Sequence, residues 1–521
     1  MDKLISSLEN LTVESSIPLL STFVEENEKN FCSPCLDVKI RERFWVVLFK
    51  QLEHNDPAVK LLCLKAIRIL SREKLNLDKF INEKRLQVLF NLSNINLDLK
   101  GNDECSMEAL KSLCNLTYNF PSGADVLHSF GATLLLAKKL QSLAEENFER
   151  TLSEIKLLFL ITGFYNSSRD LLFKNYGLNF FTELCMKIGN ISDESLLSSS
   201  SKKPQLNANQ MKLLCETLKI TFNVLCDVKG ENSNKVEFKK FVALLREMIL
   251  VGLSPQTINL INNIVNLLTI MPHDCLSALI IPGKQVNDKK FIEKSPAMEA
   301  VSILIDFLDA ILTKLEDIPS TPKEELSPVT LLLTNMSKSN PFFRRYIKSK
   351  VLPNLRDVYT RPEVGNTLRN KLCRLLTCPI TSTKRLVADF LFVLCKESVA
   401  RMVKYTGYGN AAGLLANRGL LGGNPISGSD SEDSETEEYT QNKHMINPVV
   451  GCLTPPRVNE IANMTEEQKE YFALELVNKI DKLQREGIIK PCRVGPDGKP
   501  VPVEHVLELQ DNASFEPSKN K

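Results

Sequence analysis

Apolar residues recur along this chain at the three- and four-residue spacing of helices, and strand-like alternation is hard to find. One phrase repeats. It reads LKAIRILS from Leu64, LKSLCNLT from Leu110, IKLLFLIT from Ile155, LKITFNVL from Leu218, INNIVNLL from Ile261 and TLLLTNMS from Thr330. The starts lie 46, 45, 63, 43 and 69 residues apart. Three intervals fall in or beside the roughly 40–47 residue period of armadillo and HEAT repeats. The two long ones carry insertions, the Ser/Asn-rich stretch 191–210 and the segments 281–296 and 318–328. Positions 1, 4 and 7 of each phrase form one stripe on a helix face, which predicts a buried contact. The expected fold is all-α, an armadillo/HEAT-like helical-repeat superhelix with a tethered C-terminal amphipathic helix.

Position 6 is Asn in four of the six phrases: Asn115, Asn223, Asn266 and Asn335. Each can satisfy a local backbone group, or the set can form a ladder that pairs with the backbone of a bound peptide, because a carboxamide both donates and accepts. Both readings stand on the pattern alone.

Helical periodicity ends near residue 420. Residues 422–463 are rich in Gly, Ser, Pro and acids and read as a flexible linker. Thr465 and Gln468 then supply a capping box, and a helix is expected to about Glu486, before Gly487. Its residues Phe472, Leu476, Ile480 and Leu483 make one narrow apolar stripe, suited to docking on its own domain or in a partner's groove. The expected organisation is a repeat domain over 1–421, the acidic linker over 422–463, a helical segment over 464–490 and a disordered tail over 491–521.

Composition narrows the function. With 65 Lys+Arg against 63 Asp+Glu in 521 residues, the chain is not a uniformly basic nucleic-acid binder. The charge is unevenly placed: residues 341–404 hold 14 basic and four acidic residues, a net of 14 − 4 = +10. SGSDSEDSETEEY at 427–439 holds six acids and no basic residue. An intramolecular contact between the two follows naturally, and the basic stretch lacks interleaved aromatic stacking positions, so no nucleic-acid partner is expected. Ser427, Ser429 and Ser434 each carry an acid three residues on, the pattern accepted by an acidophilic casein-kinase-type kinase.

The N-terminus lacks a secretory signal pattern and no apolar stretch approaches the ~20 residues of a membrane span, so no integral membrane segment is expected. The 14 scattered cysteines fit free thiols in a reducing, cytoplasmic setting. The lone CxxC, Cys32 to Cys35, has no second ligand pair, and no metal or cofactor is expected. GYGNAAG at 407–413 departs from the dinucleotide fingerprint, and the five histidines lie far apart. No catalytic site is legible, and an enzyme is not expected.

Residues 351–420, with TRPEVG and KYTGYGNAAGLLA, closely resemble the synembryn family (resistance to inhibitors of cholinesterase). RILSRE at 68–73, LKSLCN at 110–115, LLFL at 157–160, the acidic run, INPV at 446–449 and MTEEQKE at 464–470 extend the resemblance across nearly the whole chain. It implies a monomeric cytoplasmic partner of heterotrimeric G-protein α subunits (GDP-bound, nucleotide-free or nascent), recruited to the cell cortex through membrane-associated Gα. It implies a receptor-independent guanine nucleotide exchange factor and folding chaperone. A concave groove would hold the Gα C-terminal helix, with contacts on Arg68, Arg72, Asn115, Phe159, Phe222, Asn223, Arg344 and Arg345, while the tethered helix embraces the GTPase domain. Arg345 stands where Lys is common in the family, and Ser429 and Ser434 match its phosphorylated positions. The alternative is a generic armadillo scaffold for short peptide motifs.

Overall fold

The computed structural model describes residues 5, 8, 13–29, 37–53, 56–95, 104–142, 147–197, 204–228, 235–281, 296–318, 323–420, 436–453, 464–488, 492–494 and 500–502. The chain divides into two compact units, Met1–Cys452 and Leu453–Lys521.

The first unit is built on a row of helices: α1 (Val13–Asn27), α2 (Pro57–Leu70), α3 (Glu104–Asn119), α4 (Phe148–Phe164), α5 (Ala208–Leu225), α6 (Ile258–Ile270), α7 (Ser327–Ser339) and α8 (Thr381–Leu394). Each packs on the next. The six repeated phrases fall on α2 to α7. All eighteen residues at positions 1, 4 and 7, such as Leu110, Leu113 and Leu116, are buried. Each large aliphatic among them gains about 1.5–3 kcal/mol over exposure. A second row, Ala132–Gln141, Asn166–Gly189, Lys235–Ile249, Glu299–Asp317 and Pro341–Val351, packs in the same successive way. This is the armadillo/HEAT-like stacking that the phrase period predicts.

Local chemistry sets the helix starts. The Asp56 carboxylate accepts from Ala58 N at 2.8 Å and Val59 N at 3.3 Å, and Pro57 opens α2. Asn207 and Gln210 form a reciprocal capping box at α5. GYGNAAG lies in a bend and helix: Gly407 takes φ +74° and Tyr408–Asn417 is helical.

Within the stretch expected to be a linker, residues 436–452 instead pack on the end of the first unit. Thr436 caps the short helix α9 (Glu437–Asn442), accepting from Tyr439 N at 3.2 Å, and its hydroxyl donates to the Leu355 carbonyl. Tyr439 is buried, with the Lys404 ammonium 4.7 Å from its ring centroid. An aromatic residue at the end of the acidic run and a turn-forming INPVVG sequence after it supply enough burial and backbone pairing to order the stretch.

The second unit contains α10 (Glu466–Arg485), opened by the expected Thr465–Gln468 capping box and closed before Gly487 at φ +73°. The tail expected to be disordered holds an antiparallel pair, Cys492–Val494 with Pro500–Pro502. The two strands bracket a Gly-Pro-Asp-Gly sequence with turn chemistry that composition alone did not weigh.

Candidate functional site

Of the expected groove residues, Arg68, Asn115 and Phe159 lie on α2 to α4, Arg72 just past the end of α2, and the next three on α5 and α6. Arg68 lies in the last turn of α2 and Arg72 in the turn that follows its C-cap Ser71. Arg68 Nη2 lies 2.8 Å from Glu28 Oε1, and its Nε lies 2.5 Å from Glu108 Oε2. Arg72 donates to the carbonyls of Asn27 at 3.2 Å and Glu28 at 3.1 Å, so it closes the C-terminal end of α1. Burial and the neighbouring Arg68 lower the Arg72 pKa, against the pull of Glu28 and Glu108.

The Asn positions are equally committed. Asn115 Nδ2 donates to Arg68 O at 3.2 Å and to Ser71 Oγ at 3.1 Å. Asn223 Nδ2 donates to Phe159 O at 3.3 Å and Thr162 Oγ1 at 3.2 Å. In phrase coordinates the geometry is the same twice. Position 6 of one repeat binds the carbonyl of position 5 and the hydroxyl of position 8 in the preceding phrase. The side-chain amide is therefore an inter-repeat latch, and in both places a half-buried residue of the face lies beside it, Cys114 and Phe222. Asn119 adds a third bond of this kind, to Ser71 O at 2.7 Å. Position 8 is Ser or Thr at Ser71, Thr117, Thr162 and Ser337, a signal in the sequence that would have exposed the latch.

Asn266 is half-buried on α6, and its carbonyl accepts from Thr269 Oγ1 at 2.6 Å. Phe159 and Phe222 are half-buried on α4 and α5, and Lys219 Nζ lies 5.6 Å from the Phe159 centroid. Tyr118 and Phe164, which the sequence reading did not single out, expose 66% and 44% of their surface at the ends of α3 and α4. The row thus offers aromatic rings between cations and amides, a surface suited to an amphipathic helix or peptide.

Arg344 and Arg345 are half-buried on Pro341–Val351, a second-row helix that packs on α7. Against the expectation from sequence, aromatic rings are interleaved with the basic residues around them, and they are taken up by cations of the same unit. Lys348 Nζ lies 5.0 Å and Lys404 Nζ 5.7 Å from the Tyr405 centroid. On α10, Phe472 and Leu476 are 51% and 59% exposed, and Ile480 is half-buried, so the stripe is not consumed within its own unit. Ser427, Ser429 and Ser434 lie outside the described residues, as do Cys32 and Cys35. Among the described residues no cluster of His, Cys, Asp and Glu could hold a metal, and no helix is long and apolar enough to cross a membrane.

A two-row helical superhelix with a polar and aromatic face along one row defines a helical-repeat binding protein. The family described as guanine nucleotide exchange factor synembryn matches residues 63–499. The chain is 34% identical over 530 residues to "Chaperone Ric-8A" of Gallus gallus, covering 98% of this chain and 97% of that one. It is 35% identical over 544 residues to "Chaperone Ric-8A" of Danio rerio, covering 100% and 98%. With "Chaperone Ric-8" of Drosophila pseudoobscura pseudoobscura it shares 35% identity over 525 residues, covering 90% of each. This chain belongs to the synembryn family of guanine nucleotide exchange factors.

Proposed function

We propose that this protein is a receptor-independent guanine nucleotide exchange factor and folding chaperone for heterotrimeric G-protein α subunits. It acts in the cytoplasm and at the cell cortex where Gα resides. The observation that carries the reading is the α2–α6 face, where Arg68, Arg72, Asn115, Phe159, Phe222, Asn223 and Asn266 follow one another along stacked helices.

The C-terminal helix of Gα lies along that face. Half-buried Phe159 and Phe222 take its apolar side, and Arg68 and Arg72 attract its acidic groups or terminal carboxylate. Because their present partners include Glu28 and main-chain carbonyls, binding exchanges one set of acceptors for another. The exposed stripe of α10 engages the GTPase domain.

Exchange follows as a population shift. A protein that binds the Gα helix only when it is drawn from the nucleotide-binding core stabilises the empty state and lowers GDP affinity by the coupling free energy. A 10⁴-fold shift needs about 5.5 kcal/mol of differential binding. Reciprocity makes GTP expel the exchange factor. Holding the same open state serves a nascent Gα, which is why one site supports chaperoning. No bond chemistry is required of the protein.

The test is retention of nucleotide-free Gα by the immobilised full-length protein and its release by GTP. Retention of short peptides alone, with no GTP-sensitive Gα binding, supports the generic scaffold instead.

A further inference from the structure

Three segments of the first unit interlock at its end. Residues 448 and 449 lie across the N-terminus of helix Tyr408–Asn417, whose first amides have no partner within the helix. Tyr408 N donates to Pro448 O at 2.8 Å, and Gly409 N donates to Val449 O at 2.9 Å. The incoming turn is self-braced: Val449 N donates to Asn447 Oδ1 at 3.0 Å, and Gly451 N donates to Asn447 O at 2.8 Å. The third segment is held by Asn370 Nδ2 on Pro362 O at 2.8 Å and by Asn410 Nδ2 on Glu363 Oε2 at 2.9 Å.

The approach is closer than side chains allow. A Cβ on Gly451 would sit 2.8 Å from Pro362 Cγ and 3.0 Å from the Gly407 backbone, and both glycines have φ above +70°. A Cβ on Gly409 would sit 3.1 Å from Val449 O. These glycines therefore serve contact between backbones, not chain flexibility.

The consequence is one of reach. Cys452, 5% exposed, is the last residue of the packed unit, and α10 begins after Thr465. From Cys452 to Thr465 the chain has 465 − 452 = 13 steps, spanning at most about 47 Å. From buried Tyr439, the anchor that precedes the turn, it would have 465 − 439 = 26 steps and span up to about 94 Å.

We propose that the turn 446–452 is a clasp that sets the reach of α10, with Gly407, Gly409 and Gly451 as its positioning residues. Closed, it presents the helix to Gα on the short tether. Opened, with Tyr439 still seated, it doubles the tether, and effective concentration falls as about the −3/2 power of length, or roughly threefold. The partner named here rests on the proposed function.

Two variants of the full chain test this. Gly451→Val opens the clasp, and a 13-residue Gly/Ser insertion after Leu453 lengthens the tether equally with the clasp closed. Hydrogen exchange at Tyr408 and Gly409 should quicken in Gly451→Val only, with protection of α2–α7 unchanged. Both variants should bind nucleotide-free Gα about threefold more weakly. Lysine cross-linking of Lys469, Lys479 and Lys482 to the first unit should fall in both, and this readout needs no Gα. Unchanged cross-linking in both variants overturns the clasp's role in reach. So does a loss confined to Gly451→Val. Cross-linking that falls as expected in a protein that never retains Gα upholds the clasp and overturns the proposed function instead.

Discussion

Asn115 donates its side-chain amide to the Arg68 carbonyl at 3.2 Å, so a residue expected to meet a ligand is also bonded to the preceding repeat. Asn223 stands in the same relation to Phe159. Each bond satisfies a carbonyl on the preceding helix of the row and contributes about 1 kcal/mol net. Asn115→Ala and Asn223→Ala should each lower stability by about that amount in urea unfolding. Asn115→Ala should also weaken Gα binding by about 1–3 kcal/mol. Lowered stability with unchanged affinity would make the Asn a latch alone.

Arg68 sits between two carboxylates of different worth. Glu108 has a side chain 9% exposed, with Lys111 Nζ at 3.4 Å as its other cation. Arg68→Ala strands that carboxylate and should cost about 3 kcal/mol of stability. Arg68→Met with Glu108→Gln should recover most of the loss. Glu28 is 47% exposed, so Glu28→Gln should change stability by less than about 1 kcal/mol. By freeing Arg68 Nη2 it should tighten binding of a peptide ending in a carboxylate. Titration of such a peptide into both proteins measures the difference, and equal affinities would place the carboxylate elsewhere.

The row of helices was legible because burial acts through period: positions 1, 4 and 7 are apolar wherever α2 to α7 stack, save Thr221 and Thr330, whose hydroxyls bond carbonyls of their own helix environment. The latch was only half legible. Asn at position 6 stood out, yet its partner is the hydroxyl at position 8 of a phrase 44 to 61 residues earlier, as in Ser71–Asn115 and Thr162–Asn223. Pairings across repeats leave no local signature. Composition misled at 436–452, where an acidic run ends at Tyr439 and a polar stretch leads into the INPVVG turn. Ordering there comes from two anchoring contacts and close glycine packing, which average residue content does not register. Arg344 and Arg345 were grouped with the groove by resemblance alone, because no phrase of the repeat covers Pro341–Val351.

Burial of Cys63, Cys185 and Cys373 pushes each thiol up to about 12, from 9.0. The folded pKa is raised, so their contribution to stability is intact below pH 9 and is lost as pH climbs toward 12. Each steepens the decline by about 1.4 kcal/mol per pH unit in that window. Urea midpoints at pH 8 and pH 10 should diverge, and Cys63→Ala should reduce the divergence. Alkylation of the native protein at pH 8 should spare all three and reach the exposed Cys226.

The basic residues of Pro341–Val351 should act chiefly through steering. Arg344→Glu with Arg345→Glu should lower the association rate with Gα at low ionic strength and flatten its salt dependence, leaving dissociation nearly unchanged. Stopped-flow mixing at two salt concentrations separates the rates. An unchanged association rate at low salt would remove these residues from the encounter.

Thr436, two residues after Ser434, is fixed to the Leu355 carbonyl, and Tyr439 lies against Lys404. The acidic run therefore ends on a stretch of net charge +10. A phosphate on Ser429 or Ser434 adds about −1.5 to −2 charge and three strong acceptors, so two add about −3 to −4. Phosphorylation by an acidophilic casein-kinase-type enzyme should strengthen the attraction to that surface and favour the path of the chain through residues 436–452 toward α10. Ser429→Ala with Ser434→Ala should then reduce exchange on Gα, while residues 1–420 alone should be indifferent to kinase treatment. Single-turnover GDP release, measured with phosphorylated and unphosphorylated full-length protein at matched salt, decides it: equal rates would confine the phosphates to an incidental role in an acidic segment.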